Sequence, residues 1–376
     1  MTAKTYIQRT FLFLLASALL VVGLNAVVDP YGVTGSPRIP GLNEYKVDIN
    51  NHVRLMKKYN PLREQNNALI VGNSRVEMGI NPANQCFQNA GMKVYNLGVP
   101  GASVRTQLAY ALNLIYQKDI DTVFLSLDLT DFIWTKRHSR FDDSSLLEHS
   151  EDGFRLTASE QLNPNYTRTL FLDYYRSLFS LDALMASVKT LAGQDRAGPD
   201  RDNAGFNPAR DFGEAVRIEG TRALFDQKMS DLKEHFSMSW YLSDSEGRLD
   251  PSFDDLETFL DLVVERKISV YLFVNPFHES YWDLLREEGH MPLHVEWLSA
   301  LEALVDNYSA ETVRFWDFSV DSPYIHETVP PPGRKSGPLQ WFWEPSHYRE
   351  QLGDIMINTM LTERCNIEPE FGRRLH

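Results

Sequence analysis

The chain has 376 residues and a net charge of −14, from 37 Lys and Arg against 51 Asp and Glu. That balance, with no basic stripe, excludes a binder of nucleic-acid backbones. A hydrophobic fraction of 43% excludes wholesale disorder, and two cysteines exclude a disulfide-stapled scaffold or a multi-cysteine zinc module.

The N-terminal segment departs from the average. Lys4 and Arg9 precede an apolar run of 18 residues, 11–28, diluted only by Ser17, Gly23 and Asn25. At about 1.5 Å per residue the run spans roughly 27 Å, close to a bilayer core. The positive flank puts the N-terminus in the cytoplasm and the rest of the chain beyond it. A cleaved signal peptide is the rival reading. Its small-x-small site is poorly placed, because Ala16-Ser17-Ala18 sits mid-run. The segment therefore reads as an uncleaved anchor over residues 1–30. Cys86 and Cys365 then lie in an oxidising compartment that permits a disulfide. Whether they pair is open in the sequence.

Beyond the anchor, strands and helices alternate. Short apolar runs at residues 67–71, 94–97, 122–127, 268–274 and 313–318 predict buried strands. Ser103 predicts the cap of a helix reaching Tyr116, and residues 253–264 and 295–305 predict two more. Such alternation predicts a parallel sheet covered on both faces. Residues 31–134 and 248–376 form this α/β domain. Residues 135–247 read as a mostly helical insertion, a lid over the sheet's carboxyl edge, with helical stretches at 170–191 and 221–241. Its aromatics, Tyr174, Tyr175, Phe179, Phe225, Phe236, Trp240 and Tyr241, read as the insertion's own core.

Candidate chemistry collects at strand ends, where open α/β sheets bind ligands. The first strand runs into Gly72-Asn73-Ser74, which exposes a serine hydroxyl at a turn into a helix. The second ends Asn96-x-Gly98-x-x-Gly101, where glycine lets a backbone N–H approach a ligand. Near the C-terminus, Glu344 precedes His347 by three residues, so the carboxylate can share one turn with the imidazole and hold its tautomer. Each feature alone is commonplace. Arg75 reads as a partner of Glu77 or Asp128, and His278, just after a strand end, as a cap. His290 and His294 have the i, i+4 spacing of a metal pair, but Pro292 between them spoils a helix. No metal and no cofactor is expected.

Taken together, in the order Ser, Gly, carboxylate-x-x-His, these features resemble the SGNH (GDSL-like) hydrolase superfamily. The lead-in Val28-Asp29-Pro30-Tyr31-Gly32, the block Gly72-Asn73-Ser74-Arg75-Val76-Glu77 and the ending Trp343 to Tyr348 with Leu352-Gly353-Asp354 carry the likeness. So do Asn275-Pro276-Phe277-His278 and Phe315-Trp316-Asp317-Phe318-Ser319. More narrowly they resemble the membrane-anchored branch that includes the alginate acetylation proteins and the D-alanyl transfer protein of teichoic acid synthesis. The blocks lie between residues 28 and 354 and cover the insertion poorly.

The resemblance implies a three-layer, flavodoxin-like parallel-sheet core. It implies Ser74 as nucleophile, His347 as general base and Glu344 in place of the usual aspartate. It implies oxyanion donors from the backbone N–H groups of Ser74 and of Gly101 or Gly98. The third block departs from the pattern: Asp128 stands where the superfamily offers an Asn side chain, and an ionised aspartate cannot donate to an oxyanion. Asn73 and Asn275, each at a strand end, are the replacements to consider. The expected activity is a serine acyl-esterase or O-acetyltransferase acting on an envelope or exopolysaccharide glycan. The expected location is a bacterial inner membrane, single-pass through residues 11–28, with the bulk in the periplasm and a membrane acyltransferase as a partner. The alternatives are a non-catalytic glycan-binding or scaffold component and a lipid or thioester hydrolase.

Overall fold

In a computed structural model of the chain, residues 2–136, 153–156, 161–194, 200–333, 336–365 and 371–376 are described. Parts of the expected insertion, residues 137–152, 157–160 and 195–199, lie outside them.

All five expected strands form: β1 (Ala68–Val71), β2 (Val94–Asn96), β3 (Thr122–Leu127), β4 (Ser269–Val274) and β5 (Val313–Asp317). They pair in parallel in the order β2-β1-β3-β4-β5, in registers such as Ala68↔Thr122 and Thr122↔Ser269. The first three strands are buried along their whole length, which is why they read as continuous apolar runs rather than alternating ones. Two further pieces have no apolar signal. A short hairpin joins β6 (Phe342–Glu344) to β7 (His347–Tyr348), and β8 (Arg373–Arg374) adds antiparallel to β5.

The chain leaves β1 through α3 (Ser74–Gly79) and α4 (Gln85–Asn89) to reach β2. It returns past β1 through α5 (Val104–Ile115) to reach β3. Right-handed connections in opposite directions put their helices on opposite faces. The loops after β1 and β3 therefore diverge and leave a crevice at the carboxyl edge. Ser103 caps α5 by accepting the Thr106 N–H. Alongside it lies α10 (Pro251–Glu265), capped by Asp250 and begun by a proline that loses no helical bond there. After β4 come α11 (Glu279–Glu287) and α12 (Met291–Val305). The helix expected from 295 begins at Met291, with Pro292 in its first turn, where the missing N–H costs nothing. Proline thus starts this helix rather than spoiling it.

After β7, α13 (Glu350–Met360) packs on α3, and α14 (Thr362–Cys365) packs on α4. Gly79 and Gly353 set the α3–α13 approach: a Cβ on Gly353 would lie 1.8 Å from the Gly79 carbonyl oxygen. Cys86 and Cys365 are joined by a disulfide across 279 residues, with their Cα atoms 5.4 Å apart.

The N-terminal helix α1 (Ala3–Val28) is apolar and long enough to cross a membrane, and only Asn25 and Val28 are buried in it. It ends at Asp29, whose carboxylate accepts the N–H groups of Val33, Thr34 and Gly35, and α2 (Val53–Tyr59) follows before β1. The region after β3 holds α6 (Tyr166–Phe179), α7 (Leu181–Ala192), α8 (Arg210–Glu219) and α9 (Thr221–Phe236). The first expected helix is broken at Ser180, which caps α7 through the Ala183 N–H at 3.0 Å. Trp134 and Tyr241 exchange two backbone bonds of 2.9 Å where the chain leaves and rejoins the α/β part.

The aromatics of this region do not form a core of their own. Phe225, Phe236 and Trp240 are buried in the main hydrophobic cluster, with Phe236 edge-on to Tyr281 and Trp240 stacked on His290. Tyr175 and Phe179 are exposed. The helices separate into two groups: α6 and α7 pack on α1, whereas α9 packs on β6 and α11.

Candidate active site

Ser74 is the first residue of α3, directly after the turn that ends β1. Asn73 caps this helix by accepting the Arg75 N–H at 3.0 Å. His347 and Glu344 face each other across the β6–β7 hairpin, with Pro345 and Ser346 forming its turn. The carboxylate and imidazole thus share a hairpin turn rather than a helical one. Ser74 Oγ lies 2.8 Å from His347 Nε2. His347 Nδ1 bonds Glu344 Oε1, and Ser346 N–H and Oγ bond the same carboxylate at 2.8–3.2 Å. Glu344, 1% exposed, can only accept, so Nδ1 carries the hydrogen and Nε2 presents its lone pair to Ser74. Burial works to raise the Glu344 carboxyl, but the adjoining His347 and the Ser346 N–H hold it below the ordinary range.

Asp128 follows β3 and is 1% exposed. It is the acceptor of a buried cluster, not part of the cleft wall. Its Oδ2 accepts from Asn73 Nδ2 at 2.7 Å and Arg75 Nη1 at 3.0 Å, and its Oδ1 accepts from Asn275 Nδ2 at 3.0 Å. Both amides considered as replacements for a missing oxyanion donor therefore turn an N–H to the buried Asp128. Arg75 also donates through Nε to Ser346 O at 3.1 Å, tying the hairpin turn to the helix that begins at Ser74. Asp131, next to this cluster, accepts from Gln107 at 3.1 Å. Burial, and then the Asp128 charge, push its carboxyl up to about 7.

The two glycines differ. Gly98 N–H donates to Asn96 Oδ1 at 2.9 Å and is spent. Gly98 is needed for space, because a Cβ there would lie 2.8 Å from Glu77 N. Gly101 adopts φ +64°, a conformation that favours glycine, and its N–H has no acceptor among the described residues. The Ser74 N–H has none either. Pro100, beside Gly101, lines the same cleft as Ser74 and His347. Of the expected oxyanion donors, Ser74 and Gly101 keep open backbone N–H groups, Gly98 spends its own on Asn96, and neither Asn73 nor Asn275 lines the cleft.

The cleft holds about 880 Å³. Its walls include residues with no motif signal. Phe212 of α8 sits 6.0 Å, ring to ring, from His347 and packs on Trp343. Arg201 pairs in two-pronged fashion with Glu77, at 3.0 Å on each prong, and Lys57 approaches the same carboxylate at 3.5 Å. Lys57 is fully buried and also donates to Asn96 O and Gly205 O at 2.7 and 2.5 Å. Burial pulls its ammonium down to about 8. Residues 200–209 are thereby bound to the helix that carries Ser74, and Ala204 O accepts the Asn96 N–H and covers the free edge of β2. A long-range ion pair of this kind leaves no spacing to read, since Glu77 and Arg201 are 124 residues apart.

His278 caps α11: Nδ1 accepts the Ser280 N–H, and Nε2 meets Glu327 O at 2.7 Å. His290 Nε2 bonds Phe236 O, and His294 packs between Trp282 and Trp297. Among the described residues no three His, Cys, Asp or Glu side chains are placed to hold a metal ion.

A protonated hydroxyl against an imidazole lone pair, with the far nitrogen held by a carboxylate, is the arrangement that generates a serine nucleophile. No protein-family model matches the chain, and no curated protein matches it.

Proposed function

We propose that the protein is an extracytoplasmic serine acyl-esterase or O-acyltransferase acting on a cell-envelope or exopolysaccharide glycan. The observation that carries this reading is the 2.8 Å contact of Ser74 Oγ with a His347 whose other nitrogen is held by Glu344. Ser74 attacks an ester carbonyl and His347 takes its proton. The alkoxide oxygen of the tetrahedral intermediate is met by the N–H groups of Ser74 and Gly101. His347 then returns the proton to the leaving alcohol, and an acyl-Ser74 ester remains. A sugar hydroxyl or water, deprotonated by His347, releases the acyl group. Acetyl is the acyl group we favour. The strand order 2-1-3-4-5 and the sequence resemblance to SGNH hydrolases support the assignment. The apolar α1, with Lys4 and Arg9 in its first two turns, supports an inner-membrane anchor with the cleft on the periplasmic side.

Fluorophosphonate labelling tests the reading. The full-length chain labels and releases p-nitrophenol from its acetate ester, and Ser74→Ala does neither. A folded wild-type chain that neither labels nor turns over, and behaves as Ser74→Ala does, refutes it. A non-catalytic glycan-binding role is the second reading, favoured by both nearby amides turning to the buried Asp128 and lying outside the cleft lining. It predicts a polymer defect on deletion of the whole chain and none with Ser74→Ala.

A further inference from the structure

Among the described residues outside α1, exposed large hydrophobic side chains gather on α6 and α7. Phe171, Tyr175 and Phe179 recur every fourth residue of α6, stacked at 6.1 and 5.4 Å, yet Phe171 is 67% exposed. Leu181, Met185 and Val188 continue the patch on α7, with Leu181 75% exposed. A continuous apolar patch on a chain of charge −14 calls for a cover. Its position in the fold says which one.

Both helices pack on α1, and Asn25 is the buried joint between the three. Asn25 Nδ2 donates to Leu178 O at 2.8 Å, and Ser187 Oγ donates to Asn25 Oδ1 at 2.8 Å. Lys4 and Arg9 mark one membrane surface, and the apolar run 11–28 covers roughly 27 Å of an apolar layer about 30 Å thick. Asn25 is three residues, roughly 4.5 Å, before the end of that run. It therefore lies inside the far boundary of the hydrocarbon, where its amide must be satisfied by protein, as it is. Leu178 and Ser187 share its depth, and so do the exposed side chains beside them. Within α6 and α7 the backbone pairs with itself, and at the corner between them Leu178 O and Arg176 O take side-chain donors while Ser180 Oγ accepts the Ala183 N–H. Lys189, 55% exposed, pairs with Asp48 at 3.3 Å, so its charge is met by protein.

We propose that the α6–α7 hairpin is immersed in the membrane leaflet remote from Lys4 and Arg9, with Phe179, Leu181, Met185 and Val188 in contact with lipid acyl chains. This rests on the reading of α1 as an anchor. Immersion has a consequence for the cleft. A hollow of about 610 Å³ against α7 shares His52, Leu55, Asp173 and Arg176 with the Ser74 cleft. The Ser74 cleft then adjoins a hollow that lies beside the immersed hairpin.

Nitroxide labelling of the full-length chain in vesicles of phosphatidylethanolamine and phosphatidylglycerol tests this. Both native cysteines are in the disulfide, so a single introduced cysteine is the only site labelled. Labels go on Leu181→Cys, Met185→Cys and Val188→Cys, with Leu19→Cys on α1 and Val295→Cys on α12 as references; all five side chains are exposed, so folding is not at stake. The expected result is a ratio of oxygen to nickel-chelate accessibility several-fold higher at the hairpin sites and Leu19 than at Val295. Hairpin labels that match Val295 while Leu19 is in lipid overturn the inference and leave the anchor standing. A Leu19 label open to nickel chelate removes the anchor and the inference with it. Hairpin labels closed to both reagents show a protein cover and also overturn it.

Discussion

Replacing Asp128 by asparagine separates two opposed expectations. From sequence alone, Asp128→Asn restores the side-chain donor that the superfamily resemblance lacks, and ester turnover should rise. The structure predicts the reverse. Asp128 accepts three hydrogen bonds, from Asn73, Arg75 and Asn275, in a site that is 1% exposed. An asparagine keeps one acceptor oxygen, which serves Asn73 and Arg75. Its NH2 then faces the Asn275 NH2, and one buried donor is orphaned at about 1–3 kcal/mol. The Arg75 guanidinium also loses its paired carboxylate. Breaking a buried ion pair costs about 3–5 kcal/mol in all. Arg75 holds Ser346 O, so its release loosens the hairpin that aims His347 at Ser74. Urea unfolding of the detergent-solubilised chain, followed by tryptophan fluorescence, should show the loss, with slower fluorophosphonate labelling. A variant as stable as the wild type that labels faster would refute the reasoning.

Three further outcomes follow from the same contacts. Asp131 binds its proton more tightly folded, at about 7, than in its ordinary state near 3.8, so stability falls as pH rises from about 4 to about 7. Asp131→Asn should flatten that slope and raise the melting temperature at pH 8; an unchanged slope counts against the assignment. Gly353→Ala, whose Cβ would meet Gly79 O at 1.8 Å, should push α13 off α3 and slow labelling of Ser74 at least as much as it lowers stability. Full activity in that variant would show the helix contact to be irrelevant to the Ser74–His347 geometry. Reducing the Cys86–Cys365 bond, or replacing both residues by serine, should cost about 2–5 kcal/mol, because it frees a closed loop across 279 residues. Equal unfolding midpoints with and without reductant would contradict this.

Much of the α/β frame is legible in the amino-acid sequence because its signals are local. Residues 68–71 are apolar throughout and 94–96 and 122–127 mostly so, a pattern that suits strands buried on both faces of a sheet. Ser103 and Asp250 cap their helices through their own neighbours. Glu344 and His347 are three residues apart, so their meeting is short-range, and the glycine positions flag tight approach. The 18-residue apolar run declares its own length. The rest depends on distant partners. Nothing in the order of residues says that Asp128 takes the amides of Asn73 and Asn275, that Gly98 spends its N–H on Asn96, or that Arg201 reaches Glu77. Those are competitions among donors for acceptors, and they are decided by distance and burial once the chain is folded. The same holds for the aromatics between α6 and α9: composition shows that they are apolar, but only packing sends Phe225, Phe236 and Trp240 into the main core and leaves Phe171, Tyr175 and Phe179 on the surface.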